Sequence, residues 1–341
     1  MTTSKKTGGP KKVTVAEIAR QVSVSPATVS YVLSGGPRAR VSAETRGIVL
    51  EAAARLGYSR NGLAVALRSG RTNMVGIVCP VPISSLNEMR NNWYVKDSLA
   101  ALTLACAHHG YAALACFSTK DKGFNPQELA ERRVDGVITI NGYLAPEWIR
   151  EVSATSLPLV EFGTGYGPHQ IHAANYEGAR TAMRHLYELG HRRIAYLGGS
   201  MGVLSGIERF RGYDSFCVEH NLQPTVCRYD EGLEELLRHP YRPTAIFTYD
   251  DQLAWAALKL AKEVGLSVPK DLSIVGFNDD IRSEMMVPSL TTVAMPLDGI
   301  AEAAVSTLTA VIADRDLPPK TIQVPTYLVV RNSTGPVPAG P

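Results

Sequence analysis

With 341 residues, the chain exceeds the usual domain of about 100–150 residues, so two or more folding units are expected. Hydrophobic residues at 45% and charged residues at 20% are the balance of a globular protein with ample core. No apolar stretch approaches the roughly 20 residues of a bilayer helix. The start, Met1 to Lys12, has Lys and Gly but no apolar run of a secretory signal. Neither membrane attachment nor export is therefore expected, and a cytoplasmic location is. The five cysteines, Cys79, Cys106, Cys116, Cys217 and Cys227, form no C-x-x-C pair and lie in apolar runs. That reads as reduced, buried thiols, with no metal centre and no cofactor.

The net charge of +3 hides an asymmetry. Residues 1–72 hold 12 Lys and Arg against 3 acids, a net of +9, while the remainder holds 23 against 29, a net of −6. A basic head on a mildly acidic body points to a polyanionic partner for the head.

The first periodic segment has Val15, Ile18, Ala19 and Val22 on one helical face, preceded by Thr14 and Glu17 in the spacing of a capping box. Ser25-Pro26 then reads as a cap and first helical residue. That second helix turns Val29, Val32 and Leu33 inward and Pro26, Ala27, Thr28, Ser30 and Tyr31 outward. Ser34-Gly35-Gly36-Pro37 ends it. Ser42 opens a third helix with Val49, Ala52, Ala53 and Leu56 on one face and Gly57 as its stop. Two short helices joined by a tight turn and propped by a third form a helix-turn-helix pattern. Any three-helix mini-core shows similar stripes; the small, hydroxylated outer face of the second helix is what suits a major groove.

Specific residues carry this further. Val13 to Arg20, Val24 to Leu33, Val41-Ser-Ala-Glu-Thr-Arg46 and Leu56-Gly-Tyr58 resemble the head of the lac/gal repressor family, and Asn61 to Thr72 resembles its hinge helix and linker. The resemblance continues through Asp135-Gly-Val-Ile138, Gly190-His-Arg-Arg-Ile-Ala195, Arg209 before Gly212-Tyr213, Pro243-Thr-Ala-Ile246, Gly276-Phe-Asn-Asp279 and Pro288-Ser-Leu-Thr-Thr-Val293. It implies that Pro26, Ala27 and Tyr31 read base edges. Ser25, Thr28, Ser30, Ser34, Ser42 and Thr45 would hold phosphates, with Thr14 beside them at the first helix. Asn61, Ala64 and Leu67 would form a hinge helix whose leucine wedges into the minor groove. Tyr31 stands where many members carry an arginine, which removes a bidentate guanine contact, so the operator sequence does not transfer.

From residue 73, expected strands at 74–79, 112–117, 136–140, 157–162, 194–197, 245–248 and 273–277 alternate with helical stretches at 95–109, 177–189, 208–220, 251–264 and 298–313. This alternation implies parallel sheets covered by helices. By resemblance, the body is a two-lobed, periplasmic-binding-protein-like α/β fold of type I behind an all-α head. The expected divisions are a flexible basic arm (1–12), the helix-turn-helix (13–58), hinge and linker (59–72), and the body (73–341). Within the body, one lobe takes 73–170 and 294–325 and the other 171–293 and 326–335, with a tail at 336–341.

A cleft between such lobes needs convergent polar groups. Arg209 matches the family's effector-binding arginine, and Asp250 and Asn278 fall where most members have Asn and Asp. Asn141, at a strand end, is a further candidate. Asp251 reads as a helix-capping acid. Ala174 replaces the aspartate usual before Asn175, the loop from Pro80 to Trp93 is longer than usual, and the stretch between His220 and Glu235 is shorter. Tyr229, Tyr249 or Trp93 are the candidate stacking platforms.

Neither Gly163-Thr-Gly-Tyr-Gly167 nor Gly198-Gly-Ser-Met-Gly202 has the strand–helix context of a dinucleotide loop. His108, His109, His169, His172 and His191 lack metal-ligand spacing. The expectation is a homodimeric transcriptional regulator, of repressor type, on a pseudo-palindromic double-stranded DNA operator, with a small effector, a sugar by family precedent, and no catalytic residues. A tetramer stays open. An exported solute-binding protein or a sugar-processing enzyme on the same scaffold remains the alternative.

Overall fold

A computed structural model describes residues 13–34, 41–58, 70–79, 85–117, 127, 129, 131, 133–140, 146–163, 166–198, 203–228 and 232–338. The chain divides into two units, 1–71 and 72–341.

Among its described residues the first unit holds three helices, α1 (Val15–Val22), α2 (Pro26–Leu33) and α3 (Ala43–Arg55). Each starts on a hydroxyl cap, because the first turn of a helix leaves N–H groups without intrahelical partners. Thr14 and Glu17 form a reciprocal capping box, Ser25 accepts from Thr28 N, and Ser42 accepts from Thr45 N. Ser23, in the left-handed region at φ 53°, turns the chain out of α1. Ile18, Ala19, Val29, Val32, Val49, Ala52 and Ala53 form the buried core, with Val15, Val22, Leu33 and Leu56 packed half-buried around it.

The second unit contains two six-stranded sheets. The first comprises β1 (Met74–Cys79), β2 (Ala112–Phe117), β3 (Gly136–Ile140), β4 (Leu159–Phe162), β5 (His169–Ala173) and β11 (Lys320–Val324), ordered β11-β5-β4-β3-β1-β2 and parallel throughout. The second comprises β6 (Ile194–Gly198), β7 (Thr225–Arg228), β8 (Ala245–Thr248), β9 (Ser273–Asn278), β10 (Thr291–Ala294) and β12 (Tyr327–Val329), ordered β12-β10-β9-β8-β6-β7. Only β12, paired with β10, runs antiparallel.

Helices cover both faces of each sheet. On the first, α4 (Leu86–Asn91) leads into α5 (Trp93–His108), while α6 (Pro146–Ala154) lies across the opposite face. The second carries α7 (Asn175–Glu188) and α8 (Leu204–Glu219) on one face, and α9 (Leu233–Arg238) and α10 (Asp251–Glu263) on the other. A short α11 (Arg282–Met285) follows β9, and α12 (Leu297–Ala313) returns to the first sheet against α5. None of the helices among the described residues is long and apolar enough to cross a membrane.

The chain passes between sheets at Ala174, at Met295–Pro296 and at Pro325–Thr326. Two crossings are tied together: Ala174 N donates to Val324 O at 2.9 Å and Thr326 Oγ1 to Ala174 O at 3.4 Å. The first crossing falls after β5, whose residues 171–173 belong to the first sheet and not to the second lobe as expected. Four expectations of extent also shift. β4 starts at Leu159, after Pro158, which has no N–H for a ladder. α5, α7 and α8 begin at Trp93, Asn175 and Leu204, two to four residues earlier than the apolar pattern indicated. Cys227 lies half-buried on edge strand β7, whereas the other four cysteines are buried.

Candidate functional site

The head presents the N-terminus of α2 to solvent, with Ser25, Pro26 and Ala27 exposed and Thr28, Ser30 and Tyr31 half-buried. Ser25 Oγ lies 2.8 Å from Thr28 Oγ1 and accepts from Thr28 N at 3.0 Å. Ser42 and Thr45 repeat this at α3, with 2.8 Å between hydroxyls and 3.1 Å from Thr45 N to Ser42 Oγ. Ser34 Oγ donates to Tyr31 O at 2.9 Å. At α1, Thr14 N and Oγ1 both donate to Glu17 Oε2, at 2.7 and 3.0 Å. Apart from Ser34, at the C-terminal end of α2, these hydroxyls hold helix starts in place, and two such starts, at α2 and α3, offer N–H groups to an anion.

In the second unit, a cavity of about 440 Å³ opens where the C-terminal ends of both sheets converge. Arg209, 3% exposed on α8, dominates its floor. Its Nε donates to Asn175 Oδ1 at 2.9 Å, Nη1 to Tyr249 O, and Nη2 to Asn278 Oδ1 at 3.0 Å. The guanidinium carbon lies 3.7 Å from the Phe277 ring centre and 4.8 Å from that of Tyr249. One planar fork therefore fixes the start of α7 and the ends of β8 and β9 together. A guanidinium only donates, so the oxygen of Asn278 faces it and the amide nitrogen is turned elsewhere. Asn278 has φ 110° and Asp279 φ 60°, backbone conformations that cost non-glycine residues about 1–3 kcal/mol.

Asp250 is the N-cap of α10, accepting from Leu253 N at 2.9 Å. Burial pushes its carboxyl above the ordinary aspartate range, while the Leu253 N–H and the Arg209 charge pull it back. Asp251 has a different role from the capping expected of it. Buried, it accepts from Thr292 Oγ1 at 2.6 Å and from Asp280 N at 2.7 Å, clamping the turn after β9. The opposite wall brings Glu88, Asn92, Trp93 and Tyr94 from the start of α4 and α5, and His172 from β5. Asn92 caps α5 through Val95 N at 3.2 Å. His172 Nδ1 lies 3.1 Å from Ala173 O, which can only accept, so this nitrogen carries the proton. Among the described residues no group of three His, Cys, Asp or Glu side chains could hold a metal.

Both halves match known proteins. The profile of bacterial regulatory proteins of the lacI family covers residues 14–61, and that of a periplasmic binding protein-like domain covers 183–334. Catabolite control protein A of Priestia megaterium is 30% identical over 346 residues, spanning 94% of this chain and 99% of the relative. The chain belongs to the lacI family. It is a DNA-binding transcriptional regulator. Among solved structures, the lac repressor dimer bound to operator and the anti-inducer ONPF aligns at 25% identity and TM-score 0.80, over 95% of this chain and 100% of that one. The complex of the transcriptional regulator CelR with cellobiose aligns at 25% identity and TM-score 0.66, over 94% and 100%.

Measured against its family, this regulator has an uncapped start of α7, since Ala174 has no side-chain oxygen to accept from it. The fold brings Arg209, Asp250 and Asn278 to one cavity, with Tyr249 and Trp93 among its walls. Asn141, Tyr229, Asn61, Ala64 and Leu67 lie outside the described residues. Sequence reasoning did not single out Asn175, His172, Tyr94, Ser205 or Asn92 for the cavity. Asn175, next to Ala174 at a helix start, had the strongest signal; the others meet only through the fold.

Proposed function

We propose that this regulator is a cytoplasmic repressor, working as a homodimer on a pseudo-palindromic operator, with operator affinity set by a small hydroxylated ligand in the cleft. The observation that carries the reading is the Arg209 fork, which couples a polar cavity between two sheets to the elements flanking the lobe crossings. A ligand that draws the sheets together would change the spacing of paired heads, and operator affinity with it, through linkage. In the head, exposed Pro26 and Ala27 and half-buried Tyr31 are the proposed base-edge readers. The capped starts of α2 and α3, with Ser25, Thr28, Ser30, Ser34, Ser42, Thr45 and Thr14, are the proposed phosphate holders. Asn61, Ala64 and Leu67 are proposed for the minor groove, and the structure of a lac repressor dimer on operator supports the dimeric arrangement. A sugar is the favoured ligand class: the cavity pairs aromatic rings with carboxylate and amide groups, and a relative is solved with cellobiose. Selection of bound DNA from a random pool, with and without a panel of sugars, tests both halves. A palindromic consensus whose recovery depends on one sugar is expected, and a consensus indifferent to all of them would remove the sensor.

A further inference from the structure

The end of β9 carries two consecutive residues in positive-φ backbone, Asn278 at 110° and Asp279 at 60°. Neither is glycine, so such a turn persists only where its neighbours hold it. Asp251 accepts from Asp280 N at 2.7 Å, Met295 N donates to Asn278 O at 3.4 Å, and Arg209 Nη2 donates to Asn278 Oδ1 at 3.0 Å. The remaining hold comes from outside the cavity lining. Arg331 Nη1 donates to Asp279 Oδ1 at 2.7 Å and to Leu290 O at 2.9 Å, and Arg331 N donates to Thr291 Oγ1 at 2.9 Å. The last two contacts fasten Arg331 to the start of β10. The charged bond to Asp279 adds nothing to that strand; it fixes the turn.

Three of the five N–H donors of Arg209 are held by protein oxygens, so the aim of the other two follows from where those oxygens stand. One of the three oxygens belongs to Asn278. Resting on the reading of the cleft as the effector site, we propose that Arg331 is a positioning residue for it. Acting through Asp279, it keeps the Asn278 oxygen on Arg209 and so sets how well the guanidinium meets a ligand. Arg331 follows β12, the strand entered directly after the third crossing, and Met295 stands at the second. A movement of the lobes about these crossings therefore reaches Asn278 along both segments.

The test takes two readouts on the full-length protein. The Arg209 Nε proton, assigned in the NMR spectrum by its loss in Arg209→Lys, reports the fork without any ligand, with the backbone amides of β6 as control. Arg331→Gln removes the charge at one end of the pair. Asp279→Asn removes it at the other and tolerates the left-handed backbone, so it should fold. Each should speed exchange of the Arg209 proton about tenfold and leave β6 unchanged, and the double variant should go no further than either single one. Arg331→Lys should restore slow exchange, because a single nitrogen serves both acceptors. Calorimetry with cellobiose, ribose, glucose and galactose is the second readout. A sugar that binds the wild type should bind Arg331→Gln and Asp279→Asn about tenfold more weakly, and Arg331→Lys nearly as well as the wild type. Arg209 exchange that stays slow in both variants, or that accelerates only together with β6, overturns the positioning role and leaves the sensor standing where a sugar binds. Silence from all four sugars overturns the sensor, and the part of Arg331 in ligand binding with it, even where exchange accelerates.

Discussion

Arg209 illustrates how one side chain can be both architecture and site. Removing it leaves the Asn175, Tyr249 and Asn278 oxygens without donors inside a nearly closed floor, and each orphaned acceptor costs about 1–3 kcal/mol, not additively. Arg209→Ala should therefore destabilise the body by about 3 kcal/mol in urea titration, and Arg209→Lys should recover little, because one ammonium cannot span three acceptors in a plane. An unchanged urea midpoint would reduce the fork to a crossing of convenience. Asp251 makes a pH-dependent claim. Desolvation pushes its carboxyl up to about 7, against the opposing pull of Thr292 and Asp280. The folded state thus holds this proton more tightly than the unfolded chain, where the group titrates near 3.9. Its contribution to stability is fully present below about pH 4 and is lost as pH rises through about 7. Between pH 5 and 8 the urea midpoint should decline in the wild type, and more shallowly in Asp251→Asn; identical slopes would show that Asp251 does not titrate there.

At the scale of elements, α2 depends on a single capped start. Ser25→Ala removes the acceptor for Thr28 N, which should cost about 1 kcal/mol. It also frays the turn proposed to face phosphates, so operator affinity in a gel-shift titration should fall for every operator sequence alike. Sequence-selective loss would place Ser25 among the base readers instead. The head was legible in the sequence because short helices announce themselves by local means: the Thr14–Glu17 box, Ser25-Pro26 and Ser42 are all caps that act within three residues. The buried strands β1, β3, β8 and β9 were legible as apolar runs. β5, His169 to Ala173, was not, since two of its five residues are histidines whose burial depends on neighbours distant in sequence. β7, β10, β11 and β12 are three to five residues long and mixed in polarity, too short for a period of two to stand out. The cleft followed the same division. Asp250 and Asn278 lie beside recognisable strand ends and Arg209 sits on α8 just before Gly212-Tyr213, but Asn92 and His172 come from elements of the first sheet's side, and only the crossings bring them together.

The whole molecule is electrically divided, with +9 on residues 1–72 and −6 on the rest. Operator binding should therefore weaken steeply with salt, log K falling by about 0.9 per log unit of salt for each phosphate neutralised; a flat profile would count against the head as the DNA-binding unit. Paired heads also require a subunit interface, and the second lobe carries an exposed apolar segment that we propose for it. Ile281, Met285 and Val287 are 76, 79 and 95% exposed within seven residues, beside half-buried Trp255, on whose ring the Arg282 guanidinium lies at 4.3 Å. So much apolar surface in one short segment is unusual for a monomer in water. As the proposed face for a second copy, it would bury these side chains against their symmetry mates, as a two-fold interface demands. Met285→Glu would then place two like charges at that contact. Because Met285 is exposed within one subunit, the fold should tolerate the change, and the thermal midpoint measured at high dilution should stay close to that of the wild type. Sedimentation should show a monomer where the wild type is a dimer. Affinity for a two-half-site operator should drop by orders of magnitude, since the second head loses its tethered effective concentration, while affinity for a lone half-site should hold. A variant that still sediments as a dimer would move the interface elsewhere, and the exposed faces of α5 around Leu104, 60% exposed, would be the next to substitute.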